Sequence, residues 1–396
     1  MGDIKDKNVP SITTQVAASP LQGSIRHASR LLEDNDYSAI LFCGDLTSRG
    51  CIPKYKECVE YLVQALELNK KSISSIHVVP GNHDVSRSLC TDKKAFNPTK
   101  FEPLAKAWAC LSEDAICIQG VREETYNVNG CSLQVLSMNS CMGCGEWHLY
   151  PENLRAEMEK VLSARRASEP KRMFEIEGDQ LDTPMFDHDD IETANQRIQA
   201  APIDSIPIVA AHHNLLPQEL TRLEVYTELI NSGCFRSTMS SMSRPLLYCH
   251  GHIHDDPIEI ISSGKELKSQ LICVSAPEIE KGFNEIKVYY SDGNKPLGVE
   301  IVMHRARPGG TFYKQSHIVR FFNRSIFSTP EIEAIRKFVT QAPVSFSALK
   351  SDYECEQGKT IQAKTFAKHL EEAEWLGIIN IENKHDINYW NIKRAI

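Results

Sequence analysis

The sequence predicts an α/β protein with two packed mixed β-sheets flanked by helices, followed by a small C-terminal α+β module. Three observations predict it. Short apolar runs alternate with amphipathic helical stretches up to Cys249. Strand-like runs with little helix between them then extend from Leu271 to Phe322. Beyond Phe322 the pattern changes to three helices and two short strands.

The first block contains five apolar runs, each closed by polar or glycine-rich residues. Ser38–Cys43 leads into Gly44-Asp45, Ser75–Val79 into Pro80-Gly81-Asn82-His83-Asp84, and Leu133–Met138 into Asn139-Ser140. Ile206–Ala211 leads into His212-His213, and Leu246–Cys249 into His250-Gly251-His252. These are patterns of buried strands ending in loops. Gly23–Glu33, Lys54–Leu68 and Pro151–Leu162 read as helices between them. Leu271–Val274, Glu285–Tyr290, Gly298–His304 and His317–Phe322 then predict a second, more antiparallel sheet packed on the first. Two stretches read as insertions. Ser86–Gly120 is expected to cap the site, and Arg165–Ala201, with Asp187-His188-Asp189-Asp190 inside it, to be a solvated acidic surface loop.

In the C-terminal block, Thr329 and Pro330 signal the start of a helix over Thr329–Gln341. Helices are also expected at Val344–Tyr353 and Thr360–Leu376, and strands at Gly377–Ile381 and Asn388–Ile392 around a turn at Glu382–Asp386. That is the layout of a winged helix. The expected domains are therefore 1–325 and 326–396.

Composition narrows the function classes. Of 396 residues, 41% are hydrophobic and 24% charged, with a net charge of -8, so an evenly basic coat for nucleic acid is excluded while a local basic groove is not. The 13 cysteines follow no disulfide framework and read as thiols of a reducing compartment. No signal-like or membrane-length apolar run occurs, which predicts a cytoplasmic protein with no membrane association.

The decisive pattern is where Asp, Asn and His fall. They recur just beyond the carboxyl ends of separate strands, where open α/β sheets bind ligands. A hydrolytic two-cation site needs a carboxylate shared by both ions, completed by imidazoles and amide or carboxylate oxygens. The chain offers Gly44-Asp45-Leu46-Thr47, Gly81-Asn82-His83-Asp84, His212-His213 and Gly251-His252-Ile253-His254.

At these four blocks, in this order, the chain resembles the calcineurin-like metallophosphoesterases. The resemblance spans roughly Ile25 to Phe322 and is sharp only at the motifs. It implies that Asp45 bridges two divalent ions (Mn, Fe, Zn or Ni). Asn82, His212 and His252 would complete the second ion, and His254 would belong to the first. His83 would stand beside the phosphate as general acid or transition-state stabiliser, oriented by Asp84. A metal-bound hydroxide would attack phosphorus in line. The family's leading D-x-H is missing: Asp3-Ile4-Lys5 and Asp6-Lys7-Asn8 lack the histidine. Met1-Gly2 matches the residues that follow that histidine in the family, so the motif is expected upstream of Met1. Genuine loss of the motif is the alternative.

Other candidates have plainer readings. His27, His77, His148, His304, His317, His369 and His385 read as structural or exposed. His213 is equally readable as pocket or scaffold, and His250 as a loop support. Cys141-Met142-Gly143-Cys144 with His148 is half a zinc site that Cys131 or Cys117 completes only at irregular spacing, so a structural role is expected. Arg49 reads equally as a phosphate contact or a surface arginine. Lys359, Lys364 and Lys368 lie near one face of a helix, but Glu371, Glu372 and Glu374 follow.

The expected function is hydrolysis of a phosphodiester or phosphomonoester, on a nucleotide or another small phosphate ester, with manganese as a supporting ion. The alternatives are a DNA nuclease of the same superfamily, guided by the C-terminal module, or a non-catalytic docking protein with a degenerate site.

Overall fold

The computed structural model describes residues 19–46, 52–86, 89–90, 96–168, 183–217, 229–242, 244–253, 258–263, 269–291, 293–307, 311–321 and 328–395. The chain divides into two compact units. The first comprises Met1–Val128, Ser132–Glu285 and Met303–Gln315; the second comprises Asn129–Cys131, Ile286–Val302 and Ser316–Ile396.

The first unit opens with helix α1 (Pro20–Asp34). Ser19 caps it: its hydroxyl accepts from the Gln22 amide at 3.3 Å, while the Gln22 side chain accepts from the Ser19 amide at 3.2 Å. Strands β1 (Ile40–Cys43) and β2 (Ile76–Val79) pair in parallel, with Cys43 opposite Val79. Helices α2 (Ile52–Ala65) and α3 (Glu102–Trp108) share one apolar cluster with them. Ile25 of α1, Phe42 of β1, Val59 and Leu62 of α2, and Leu104 and Trp108 of α3 are all buried in it. Of the expected cap over Ser86–Gly120, helix α3 lies in this core instead, while residues 87–88 and 91–95 are outside the described residues. Leu104 and Trp108 stand one turn apart on α3, and burying that pair in the core outweighs any placement over a polar site.

A six-stranded sheet follows, built from β3 (Val121–Val128), β4 (Cys131–Met138), β5 (Ile206–Ala210), β6 (Pro245–His250), β7 (Ile258–Ser263) and β8 (Ser269–Ser275). The spatial order is β3-β4-β5-β6-β8-β7. Pairs β4–β5, β5–β6 and β6–β8 are parallel, and β7–β8 is antiparallel. Helices α4 (Glu152–Ser168), α5 (His188–Ala200) and α6 (Ser232–Ser240) lie in the intervening chain.

Helix α5 corrects the expected acidic loop over its His188–Ala200 part, while residues 169–182 are outside the described residues. Asp187 is its N-cap, accepting from the Asp189 amide at 3.1 Å, and Asp189 and Asp190 occupy the first turn, where the helix dipole favours negative charge. Ile191, Ala194 and Ile198 are buried with Leu136, Val209 and Tyr248 of the sheet. The acidic run that suggests a solvated loop is a helix start.

Strands β9 (Gly282–Tyr290), β10 (Pro296–Ala306) and β11 (Phe312–Arg320) form a sheet in the order β11-β10-β9. In the second unit, α7 (Pro330–Phe338) begins at Thr329, whose hydroxyl accepts from the Ile332 amide at 3.4 Å. A two-residue strand β12 (Val344–Ser345) precedes α8 (Phe346–Gln357), and α9 (Ala363–Trp375) leads to β13 (Ile379–Glu382) and β14 (Asn391–Arg394). Strand β14 pairs antiparallel with both β12 and β13, through Ile392 opposite Val344 and Ile381. Ile335, Leu349, Phe366, Leu370, Ile379 and Ile392 are fully buried in this unit's own core. The last strand starts later than its apolar pattern suggests, because Asp386 caps a short 3-10 turn over Ile387–Tyr389. Among the described residues no helix is long and apolar enough to cross a membrane.

Candidate metal centre

Parallel pairing brings strand ends to common levels: Cys43 lies opposite Val79, and Ala210 opposite Cys249. Each strand then delivers its polar loop at the same edge. Gly44 and Asp45 turn the chain after β1 with φ 86° and 56°, and His252 does so after β6 with φ 66°. Asp45 and His252 thus hold a conformation that costs an ordinary L-residue, and the surrounding contacts maintain it. Gly81 is required by proximity: a Cβ there would stand 2.0 Å from Asp45 Oδ1 and 2.3 Å from its amide nitrogen.

The central histidine is His212. Its Nδ1 donates to the Cys43 carbonyl at 2.7 Å, which leaves Nε2 as the nitrogen facing the site. Nε2 lies 3.2 Å from Asp45 Oδ2 and 3.0 Å from Asn82 Oδ1. A carboxylate oxygen, an amide oxygen and an imidazole nitrogen therefore point at one another, all buried. Three acceptors cannot share that space without a positive charge. In the metal-free protein a proton supplies it. Burial disfavours that proton, but the Asp45 carboxylate, the Cys43 carbonyl and Asp84 together outweigh burial and lift His212 to about 9. For Asp45, burial would raise the carboxyl, but His212 and then His83 hold it well below the usual carboxylate range. A divalent cation answers the same demand. Borderline cations accept mixed carboxylate, amide-oxygen and imidazole ligands, so this donor set fits one.

His252 adds a further imidazole. Its ring centroid lies 5.2 Å from that of His212 and 4.6 Å from that of His213, and one nitrogen from each of the three falls within 4.8 Å of the others. Asp45, Asn82, His212 and His252 are thus brought together. His254 and Arg49 lie outside the described residues, as do Met1-Gly2 and the two histidine-lacking triplets.

Asp84 is bound by backbone amides of both ligand loops. Its Oδ2 accepts from the amides of Asp45 (2.8 Å) and Gly81 (2.9 Å), and its Oδ1 from Leu46 (3.1 Å). It fastens the Asp45 loop to the loop that carries Gly81 and His83. Burial, then the neighbouring Asp45 carboxylate, push Asp84 up to about 7 against the pull of those amides. The His83 amide donates to Asp45 Oδ1 at 3.0 Å, its carbonyl accepts from Tyr55 Oη at 3.3 Å, and its ring is half-buried.

Two supports escape sequence reasoning. Ser140, just past β4, accepts the amides of both His212 and His213 at 3.1 Å and lies 3.0 Å from His213 Nδ1. Its place after a strand is a signal, although serine carries no ligand chemistry to draw attention. Lys100 is fully buried and donates to the carbonyls of Met142 (2.6 Å) and Cys144 (2.8 Å) and to Glu146 Oε1 (2.6 Å). Nothing in the sequence marks it. His213 is buried, and its carbonyl accepts from Tyr248 Oη at 2.6 Å. His250 is buried too, with Nδ1 3.1 Å from the Gly251 carbonyl, and burial lowers it to about 4.

Residues 18–136 match the family described as calcineurin-like phosphoesterase. No curated protein sequence matches the chain significantly. Among solved structures, a dimetal phosphatase from Danio rerio is similar at 11% identity, over 75% of this chain and 88% of that one, with a TM-score of 0.42. A 5'-nucleotidase precursor from Thermus thermophilus is similar at 10% identity, over 76% of this chain, with a TM-score of 0.33; the chain spans about half, 48%, of that protein.

Proposed function

We propose that this chain, which carries a calcineurin-like phosphoesterase domain, hydrolyses a nucleotide or another small phosphate ester with two divalent cations sharing Asp45. That it is a metal-dependent phosphoesterase follows from the family match and the donor chemistry. The single observation that carries the reading is the inward-facing triad of Asp45 Oδ2, Asn82 Oδ1 and His212 Nε2, which requires a positive charge at its centre.

Asp45, Asn82, His212 and His252 would hold cations, with His254 assigned to the first ion. When bound, such ions neutralise charge on phosphoryl oxygens and lower the pKa of water. The remaining work belongs to the chain. The Cys43 carbonyl keeps His212 in the tautomer that presents Nε2. Asp84 locks the Asp45 and Gly81 loops together. His83, whose amide donates to Asp45, would protonate the leaving oxygen. Buried thiols such as Cys43, Cys249 and Cys273 suit the cytoplasm.

The helix and strand order of the second unit, three helices with β12, β13 and β14 antiparallel, supports reading it as a winged helix. That keeps a DNA nuclease as the second reading.

The test is an activity panel on chelator-stripped full chain resupplied with manganese: an aryl phosphodiester, cyclic and 5'-nucleotides, and duplex DNA ends. Manganese-dependent turnover of a small ester supports the proposal. Turnover of DNA ends alone, with binding that weakens steeply with salt, selects the nuclease. Manganese binding without turnover of any ester leaves the docking protein.

A further inference from the structure

The loop after β4 carries chemistry that the phosphoesterase reading does not use. Cys141, Cys144 and His213 are all buried, and one ligand atom from each lies within 4.8 Å of the others. We propose that these three residues bind a thiophilic divalent cation of the zinc class, at a site that adjoins the Asp45 centre through His213 and uses none of Asp45, Asn82, His212 or His252.

The spacing suits the ion. Zinc–sulfur and zinc–nitrogen bonds of about 2.3 and 2.0 Å at tetrahedral angles put neighbouring ligand atoms roughly 3.5–3.8 Å apart. Cys141 Sγ lies 3.8 Å from His213 Nδ1. That nitrogen is also the one with a lone pair to give. Ser140 Oγ accepts two amides and lies 3.0 Å from that nitrogen, so its hydrogen occupies the Nδ1 lone pair in the metal-free protein and a bound cation would take its place. The Cys141 and Cys144 side chains are aimed by a tight turn. The Cys144 amide donates to the Cys141 carbonyl at 3.1 Å, Gly145 follows with φ 78°, and a Cβ at Gly143 would meet the Thr183 carbonyl at 2.2 Å. An oxygen for a fourth position is at hand in the Pro80 carbonyl, 3.3 Å from Cys141 Sγ.

Charge balances as well. Two thiolates, a neutral imidazole and a dication sum to zero. Behind the turn, the Lys100 ammonium and Glu146 carboxylate neutralise each other, so no unpaired charge is buried. The ligands that spacing alone offers are engaged elsewhere. Cys117 Sγ donates to the Ser137 and Gly120 carbonyls, Cys131 contacts Asn294, and His148 pairs with Glu146. The third ligand comes instead from the loop after β5. A cation here would tie the β4, β5 and Pro80-Gly81 loops together, bracing the frame on which Asn82 and His212 stand.

The test compares the full chain with Asp45→Asn and Cys144→Ser, by metal analysis and by cobalt(II) substitution. The expected result is zinc that survives mild chelation in both the parent and Asp45→Asn, with a thiolate-to-cobalt charge-transfer band in each after cobalt loading. Cys144→Ser should lose both the zinc and most of the band while still taking up manganese. The parent and Asp45→Asn measurements need no cysteine variant, so a misfolded Cys144→Ser does not remove the test. Absence of the thiolate–cobalt band in the parent overturns the proposal. So does zinc content unchanged by Cys144→Ser, or a native mass lower by two hydrogens that maps to a Cys141–Cys144 disulfide.

Discussion

Raising the pH of the chelator-stripped protein from 7.0 to 8.5 should strengthen its affinity for manganese by about 25-fold. The reason lies at His212 Nε2, which must be neutral to ligate but holds a proton up to about pH 9, because burial is outweighed by Asp45 together with the Cys43 carbonyl and Asp84. With that midpoint, roughly 1% of the imidazole is neutral at pH 7.0 and about a quarter at pH 8.5. The ratio corresponds to about 1.9 kcal/mol at ~1.36 kcal/mol per pKa unit. Asp84, raised to about 7 by burial and Asp45, titrates mainly at the lower end of this range and adds less than a factor of about two. Isothermal titration calorimetry in two buffers of different ionisation enthalpy measures both quantities at once: the affinity, and close to one proton released per ion. Affinities that agree within a factor of about three across this range, with no proton release, would refute the argument that a cation replaces the His212 proton.

Gly81→Ala should lose metal while the chain still folds, because the new Cβ falls 2.0 Å from Asp45 Oδ1; metal analysis reads the first effect and an unfolding free energy about 1–3 kcal/mol lower in urea titration the second. His83→Ala should slow turnover by roughly 10²–10⁴-fold with metal content unchanged, and equal turnover on every ester tried would remove its acid role. His77 is held at about 3 by burial and then by Arg122, with its ring between Ser137 and the Tyr126 hydroxyl. Below its unfolded value of 6.5 the unfolded chain binds the extra proton. Its contribution is therefore complete above pH 6.5 and declines toward pH 3, by up to about 1.4 kcal/mol per pH unit. Unfolding curves of His77→Asn should show a shallower acid slope in that window. Lys100→Met should cost about 3–5 kcal/mol in urea unfolding, because Glu146 and two carbonyls lose their buried cation; Lys100→Met with Glu146→Leu should recover part of it.

Local pattern is enough for the elements that bury one continuous apolar run. The strands ending at Cys43, Val79, Met138, Ala210 and His250 are legible because an apolar run closed by glycine or a polar residue has few other uses. The start of α7 is legible for a similar reason, since Thr329 and Pro330 act within one turn. Elements governed by distant partners are not legible in this way. Asp187–Asp190 looks like a solvated loop until Ile191 and Ile198 find the sheet, and Ser86–Gly120 looks like a cap until Leu104 and Trp108 find α2. Strand β12 is two residues long and exists only because β14 lies beside it.

The same division runs through the site. By itself, the sequence determined which ligand-type side chains follow which strands, because residue type and position after an apolar run are local properties. Tertiary structure alone decided that Asp84 binds amides from two loops, that Ser140 holds the His212-His213 turn, and that His213 approaches Cys141 from another strand. Apart from the Asp84–Gly81 bond, which spans three residues, each of those is a contact between residues far apart in the chain, set by parallel strand register and by the demand that every buried polar atom find a partner.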